Sequence, residues 1–327
     1  MPSQPEPPIH DTLEAVGEGA VLARIFPRLP ASAFELLGPG DDAAVVAAPD
    51  GRYVVTTDLM VHGPDFRLAW STPHDLGWKA AASNLSDIAA MGAVPTALVV
   101  AIAAPADSPV SLLEGIADGL RDACAELSPG CGVVGGDLSV SGTLTIAVTA
   151  FGDLEGREPV LRSGARVGDV VAVAGELGGA AAALRLLFTE AIDADGRPDA
   201  ALATSLRRRT APQLAPTPPI AAGRIAAIAG ATAMLDLSDG LAIDADRVAR
   251  ASGVGIDFDS ALLGADPATA MAGGEDHSLL ATFPPGVALP APFRRIGTCS
   301  AVGICIDGDA YDPVGWDPYR DWSGSAG

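Results

Sequence analysis

The stretch PHDLGWKAAASNLSDIAAMG, Pro73 to Gly92, is followed within three residues by TALVVAIAA, Thr96 to Ala104. The first segment predicts a helix: Asp75 stands where a cap belongs, alanines fill the body and Gly92 ends it. The second is a continuous apolar run and predicts a strand. One residue sits badly in this pattern. Asp87 shares a helix face with Asn84 and with Met91, among Ala, Leu and Ile. A carboxylate on the packed side needs a partner, because burying it alone costs on the order of several kcal/mol.

Outward from this segment the chain alternates irregularly between α and β signals. The first ten residues hold four prolines and predict a loose tail; Thr12 to Phe26 has apolar residues at helical spacing. AAVVAA (Ala43 to Ala48) and RYVVTTD (Arg52 to Asp58) bracket a Pro-Asp-Gly turn and predict a β-hairpin. Beyond the central helix and strand, a helix is predicted near Val110 to Leu127, then strands in CGVVGGDLS (Cys131 to Ser139) and TLTIAVTAFGDL (Thr143 to Leu154). A second block begins after Glu155 to Glu158. VGDVVAVAGELGG (Val167 to Gly179) predicts a strand leading into an Ala-rich helix. RRRTAPQLAPTPPIAAG (Arg207 to Gly223) is proline-rich without a period and predicts a surface connection between two helices. TAMLDLSDGLAIDADRVARASG (Thr232 to Gly253) reads as strand, turn and helix, and SLLATF, RRIGTC and VGICID read as short strands. The order is mixed α and β without the strict alternation of a doubly wound sheet. It divides into a tail (1–10), an N-terminal domain (11–155) and a C-terminal domain (156–327).

Composition narrows the function. The chain has 327 residues, of which 49% are hydrophobic, and 41 acidic side chains against 20 basic ones give a formal charge of -21. That field repels phosphate backbones and anionic lipids, so nucleic acid and membrane are poor partners. No apolar run approaches the ~20 residues of a membrane span, and MPSQPEPPIHDTLEA lacks a basic region followed by an apolar core. A cytoplasmic enzyme or binding protein is expected. Cys124, Cys131, Cys299 and Cys305 have no C-x-x-C spacing and read as reduced thiols rather than a zinc site.

The acidic residues fall in a pattern. Asp41 precedes a strand, Asp58 and Asp137 are read as ending strands, and Asp236 and Asp239 flank the end of another. Each alone reads as a turn residue or a cap. Together with Asp87 they outnumber the available partners, because Lys79 is the only lysine. Mg²⁺ is the natural alternative, since it takes a few carboxylate oxygens plus water and substrate phosphate. No P-loop, dinucleotide glycine motif or protein-kinase signature is present. The D-x-D fragments Asp193 to Asp195 and Asp307 to Asp309 lack the closing glutamate of a calcium loop and read as surface turns. His10 falls in the tail, and His62, His74 and His277 read as surface or cap residues.

The motifs GPGDDAAVV, TTDLMVHG, DLGWKAAASNLSDIAAMGAVP, GGDLS, VLRSGARVGD, LDLSDGLAIDADR and AGGEDHSLL occur in the order and spacing of the thiamine-monophosphate kinase family. The chain resembles that family from about Asp11 to its end, within the superfamily named for aminoimidazole ribonucleotide synthetase. The resemblance implies a two-domain α/β (α+β) fold, with an N-terminal mixed sheet with helices, a C-terminal α/β domain and a homodimer formed through N-terminal sheets. It implies transfer of phosphate from ATP to thiamine monophosphate, giving thiamine diphosphate. By the same resemblance Asp41, Thr56, Thr57, Asp58, Asp87, Asp137, Asp236 and Asp239 surround several Mg²⁺ ions. Gly136, Asp137, Arg162 and Ser238 match positions that contact ATP. Glu275 matches an acceptor-side position, and Trp316 or Tyr319 could supply a C-terminal aromatic. Three departures stand out: Asp65 replaces a substrate-facing His, ADPATAMAGG replaces a longer helix, and GGEDHS replaces GGEDYE. Two other readings remain: a superfamily member using ATP on another substrate, and a non-catalytic Mg-nucleotide-binding paralogue.

Overall fold

The structure, a computed structural model, describes residues 11–37 and 44–314. The predicted first helix is broken in two, α1 (Leu13–Val16) and α2 (Glu18–Ile25), because Gly17 between them adopts a φ of 78°. Then come β1 (Glu35–Leu37), β2 (Val45–Val46), β3 (Val54–Val61), α3 (Pro73–Ala90), β4 (Val94–Ala104), α4 (Val110–Leu127), β5 (Gly132–Val140) and β6 (Thr145–Asp153).

The predicted hairpin does not form. β2 pairs with β1, and β3 instead pairs with β6 along its full length, in a four-stranded sheet of order β3-β6-β4-β5. An eight-residue ladder outcompetes the two-residue one that the Pro-Asp-Gly turn would close. The Tyr53 hydroxyl still ties the two segments by donating to Val46 O at 2.9 Å. Asp58 and Asp137 lie inside β3 and β5 rather than at their ends.

One face of this sheet buries Leu98, Val100, Ile146, Val148 and Ala150 against α3 residues such as Leu85 and Ile88. The N-cap of α3 is Thr72, not Asp75. Thr72 Oγ1 accepts from Asp75 N at 3.2 Å, and Asp75 Oδ2 accepts from Thr72 N at 2.8 Å, a reciprocal capping box. Helix α4 lies close against α3 because Gly77 of α3 and Gly119 of α4 stand at their contact: a Cβ on either would stand 2.0 Å from a carbonyl oxygen of the other helix, of Ile116 or His74.

The C-terminal half contains β7 (Val170–Ala174), α5 (Gly179–Glu190), α6 (Ala200–Leu214), α7 (Ile220–Ile228), β8 (Ala233–Asp236), α8 (Leu241–Ser252), β9 (Gly255–Phe258), α9 (Pro267–Ala272), β10 (Leu279–Phe283), β11 (Arg294–Ser300), β12 (Ile304–Ile306) and β13 (Asp309–Ala310). Its seven strands are ordered β13-β12-β9-β11-β7-β10-β8, antiparallel except that β12 runs parallel to β9. The proline-rich stretch is mostly helix, not a surface connection. Arg207 to Leu214 ends α6, Ile220 begins α7, and Thr210, Gln213 and Leu214 are buried. Helix α3 packs on the first sheet and also meets α7 and β8, so it lies on the seam between the two halves. Polar residues on its stripe therefore face both.

Candidate active site

Helix α3 carries Lys79, Ser86 and Asp87 at i, i+7 and i+8, on one stripe about 12 Å long at 1.5 Å per residue. At its C-terminal end three elements bring carboxylates together. On β3, Thr56 and Asp58 share the face turned to α3. Thr56 Oγ1 donates to Asp87 Oδ2 at 2.8 Å, and the Asp58 amide donates to Asn84 Oδ1 at 3.2 Å. From β8, Asp236 accepts from Ser86 Oγ at 2.9 Å.

The electrostatics show crowding. Burial, then the charges of Asp236 and Asp58, push the Asp87 carboxyl up to about 7. Asp58 is raised as well, by burial first, with Asp236, Glu275 and Asp239 adding to it. Asp236 departs downward: burial opposes ionisation, but the His277 bond and charge, with Ser86, outweigh it. His277 Nδ1 lies 3.2 Å from Asp236 Oδ2 and 3.3 Å from Ser86 Oγ. Its imidazole is raised despite burial by the Asp236 hydrogen bond and charge. His277 is thus a buried partner of Asp236, not the surface or cap residue the sequence suggested. Asp239 takes Arg247 as its partner at 2.6 Å instead of capping α8, whose N-cap is Gly240.

The remaining predicted residues are spread more widely. The Thr57 hydroxyl donates to Val148 O at 3.0 Å on the opposite side of β3. Asp137 shares a cross-strand row with Ala101, Ala147 and Leu59, which places it on the outer sheet face and three strand spacings, ~14 Å, from β3. Gly136 precedes it on this edge strand. Arg162 is exposed, and its carbonyl accepts from Ser252 Oγ at 3.1 Å. Asp41, Trp316 and Tyr319 lie outside the described residues.

At the N-terminal end of the α3 stripe opens a cavity of about 580 Å³, lined by Asp65, Arg67, Trp70, Lys79, Phe188, Ser238 and Glu275 among others. Arg67 lies 4.7 Å from the ring centres of both Trp70 and Phe188. Asp65 accepts from Val61 N at 2.7 Å and is raised chiefly by burial. The GGEDHS loop is pinned to the LDLSDG turn: Glu275 N donates to Ser238 O at 2.8 Å and His277 N to Leu237 O at 2.9 Å. Gly274 permits this approach, since a Cβ there would stand 2.5 Å from Ser238 O. Asp276 caps α5 by accepting from Gly178 N at 2.5 Å and Ala180 N at 2.7 Å. Glu275 pairs with Lys79 and accepts from Gln213 Nε2 at 3.0 Å.

Sequence reasoning passed over Lys79, Ser86, Gln213, Arg247 and the role of His277. Lys79 carried one signal, as the only lysine in a carboxylate-rich chain; the others acquire meaning through contacts between distant segments. Among the described residues no three His, Cys, Asp or Glu side chains form a ready metal cage. The donor chemistry nevertheless fits Mg²⁺, which is commonly held by one or two carboxylates with substrate phosphates completing the shell. Asp58 and Asp87 are hard oxygen donors whose mutual repulsion a cation would relieve.

Comparison with known proteins identifies the family of the chain. The AIR synthase related protein family matches in two parts, its N-terminal domain over residues 40–154 and its C-terminal domain over residues 166–292. Thiamine-monophosphate kinase of Mycobacterium tuberculosis is 44% identical over 328 residues, covering 95% of this chain and 92% of that protein. The crystal structure of thiamine monophosphate kinase from Aquifex aeolicus has a TM-score of 0.71 at 32% identity, covering 84% of this chain and 94% of that one. The structure of AaThiL complexed with AMPPCP and TMP has a TM-score of 0.71 at 32% identity, covering 93% and 97%. The chain belongs to the thiamine-monophosphate kinase family, within the AIR synthase related proteins.

Proposed function

We propose that the protein transfers the γ-phosphoryl group of ATP directly to the phosphate of thiamine monophosphate, giving thiamine diphosphate and ADP. The observation that carries this reading is the layout of α3. One end of its stripe lies in a crowded carboxylate cluster and the other opens on a cavity large enough for a heteroaromatic monophosphate. The relative solved with AMPPCP and TMP supports the choice of ligands.

Asp58, Asp87 and Asp236, with Asp41, Thr56 and Asp239, would hold Mg²⁺, whereas Thr57 and Asp137, on the opposite face of the sheet, are not assigned to it. Bound there, Mg²⁺ neutralises phosphate charge and lowers the barrier to in-line displacement. An acceptor phosphate oxygen is already ionised near neutral pH, so the chain needs no strong general base. In the displacement an acceptor oxygen bonds to the γ-phosphorus, the bond to the β–γ bridging oxygen breaks, and ADP leaves with that electron pair. The residues orient and enclose: Phe66, Trp70 and Phe188 offer apolar ring surface, Glu275 and Asp65 offer negative charge to a cationic ring, and Ser238 lines the cavity with its carbonyl bonded to the Glu275 amide. Gly136, Arg162 and Ser238 are assigned to the nucleotide, and Trp316 or Tyr319 to the acceptor.

The homodimer belongs to the same reading. The outer sheet face exposes Val55 at 59% and Leu59 at 58%, apolar side chains suited to a second copy. Asp137 lies on that face. The domain boundary is placed near residue 155, between the two sheets. None of the described helices is long and apolar enough to cross a membrane, and the cysteines are free; both fit a cytoplasmic enzyme. Incubation with ATP, Mg²⁺ and thiamine monophosphate, with products separated by chromatography, tests the assignment. Equimolar thiamine diphosphate and ADP are expected; ADP release without thiamine diphosphate would overturn it.

A further inference from the structure

The cavity wall contains a buried arrangement that the proposed reaction does not by itself require. Lys79, from α3, and Gln213, from the end of α6, both reach the Glu275 carboxylate, and both bind the same oxygen, Oε2. Lys79 is 6% exposed and Gln213 is 6% exposed. Glu275 itself holds a φ of 70° in the left-handed region, which non-glycine residues rarely adopt, and its amide is fixed to Ser238 O. Three segments distant in sequence thus constrain one side chain on the cavity surface.

The orientation of Gln213 is informative. A carboxylate accepts and never donates, so the Gln213 amide must present Nε2 to Glu275, and its Oε1 is left buried with no hydrogen-bond partner among the described residues. An unsatisfied buried acceptor is unfavourable, and an apolar side chain of similar volume would avoid it. Gln213 therefore contributes little to local packing that Leu could not supply. What it adds is the second donor to Oε2. Burial alone would raise the Glu275 carboxyl, but Lys79, then His277 and the Gln213 bond, hold it below the usual glutamate range.

We propose that Lys79 and Gln213 are positioning residues for the acceptor, clamping Glu275 through Oε2 so that Oε1 is presented in fixed orientation to a cationic, hydrogen-bond-donating ring. The inference rests on the cavity being the acceptor site. It assigns Lys79 to the protein's own carboxylate and makes its effect on substrate indirect. The clamp acts on binding of the acceptor and leaves the nucleotide side, at the other end of α3, unchanged.

The test is a set of variants, Gln213→Leu, Lys79→Met and Glu275→Gln, singly and combined. Each is measured for KM of both substrates and kcat, for the Kd of thiamine monophosphate by calorimetry, and for Tm. Gln213→Leu is expected to weaken acceptor binding about tenfold, with KM for ATP and kcat within about twofold and Tm unchanged or higher. In the Glu275→Gln background, Gln213→Leu and Lys79→Met are expected to add nothing further. An unchanged acceptor Kd in Gln213→Leu, an equal rise in KM for ATP, or full additivity with Glu275→Gln would overturn the clamp. Wild-type protein that binds thiamine monophosphate without turnover would overturn the kinase reading and leave the clamp to be judged by Kd. Wild-type protein that binds none would overturn both.

Discussion

Replacing Asp87 by Asn should stabilise the metal-free protein at neutral and alkaline pH while abolishing turnover. The carboxyl is raised from 3.8 to about 7 by burial and by the Asp236 and Asp58 charges. Forcing it to ionise in the folded state therefore costs ~4 kcal/mol. Below pH 3.8 both states carry the proton and Asp87 contributes nothing. Between 3.8 and about 7 the unfolded chain loses its proton first, so stability falls with rising pH by about 1.4 kcal/mol per unit. Above that range the full penalty stands. Asn retains an acceptor for the Thr56 hydroxyl and carries no charge. Urea unfolding in EDTA at pH 5.0 and 7.5 provides the assay. The wild type should lose roughly 3 kcal/mol more than Asp87→Asn across this interval, because the contributions of Asp58 and Asp244, also raised, remain in both proteins. Equal pH slopes would refute the crowding that motivates the metal assignment.

Other consequences concern the frame. Asp75→Ala removes both the N3 partner of the α3 capping box and the buried partner of Arg207; chemical denaturation should show a loss of about 3 kcal/mol. Gly119→Ala places a methyl group 2.0 Å from the His74 carbonyl oxygen, so a Tm drop of several degrees, on the order of 1–3 kcal/mol, is expected from forcing α3 and α4 apart. Leu59→Arg puts a charge on the outer sheet face, on edge strand β3; light scattering should report monomers where the wild type gives dimers, and an unchanged mass would remove that face as the interface.

The helix at Pro73–Ala90 and the strand after it were legible because cap, alanine content and apolar run all agree locally. The pairing of β3 was not, since a turn signal competes with a partner some ninety residues away, and only the assembled sheet decides between them. The segment from Arg207 to Gly223 misled because its prolines suggest a connection, yet Pro212 sits inside α6 and the helix continues past it. In the site, the carboxylates could be found by composition and by motif resemblance. Their partners could not. His277 acquires its role from Asp236 and Ser86, and Gln213 from Glu275, through packing between segments that no local pattern links. Likewise, β-strand alternation placed Thr57 and Asp137 on the face opposite Asp58 only once the register was known.

The most direct measurement of the central claim is a product assay with two acceptors in parallel, thiamine monophosphate and free thiamine, each with ATP and Mg²⁺. The account predicts thiamine diphosphate from the monophosphate, equimolar with ADP, and no phosphorylated product from free thiamine. Product from free thiamine alone, or none from either, would contradict it.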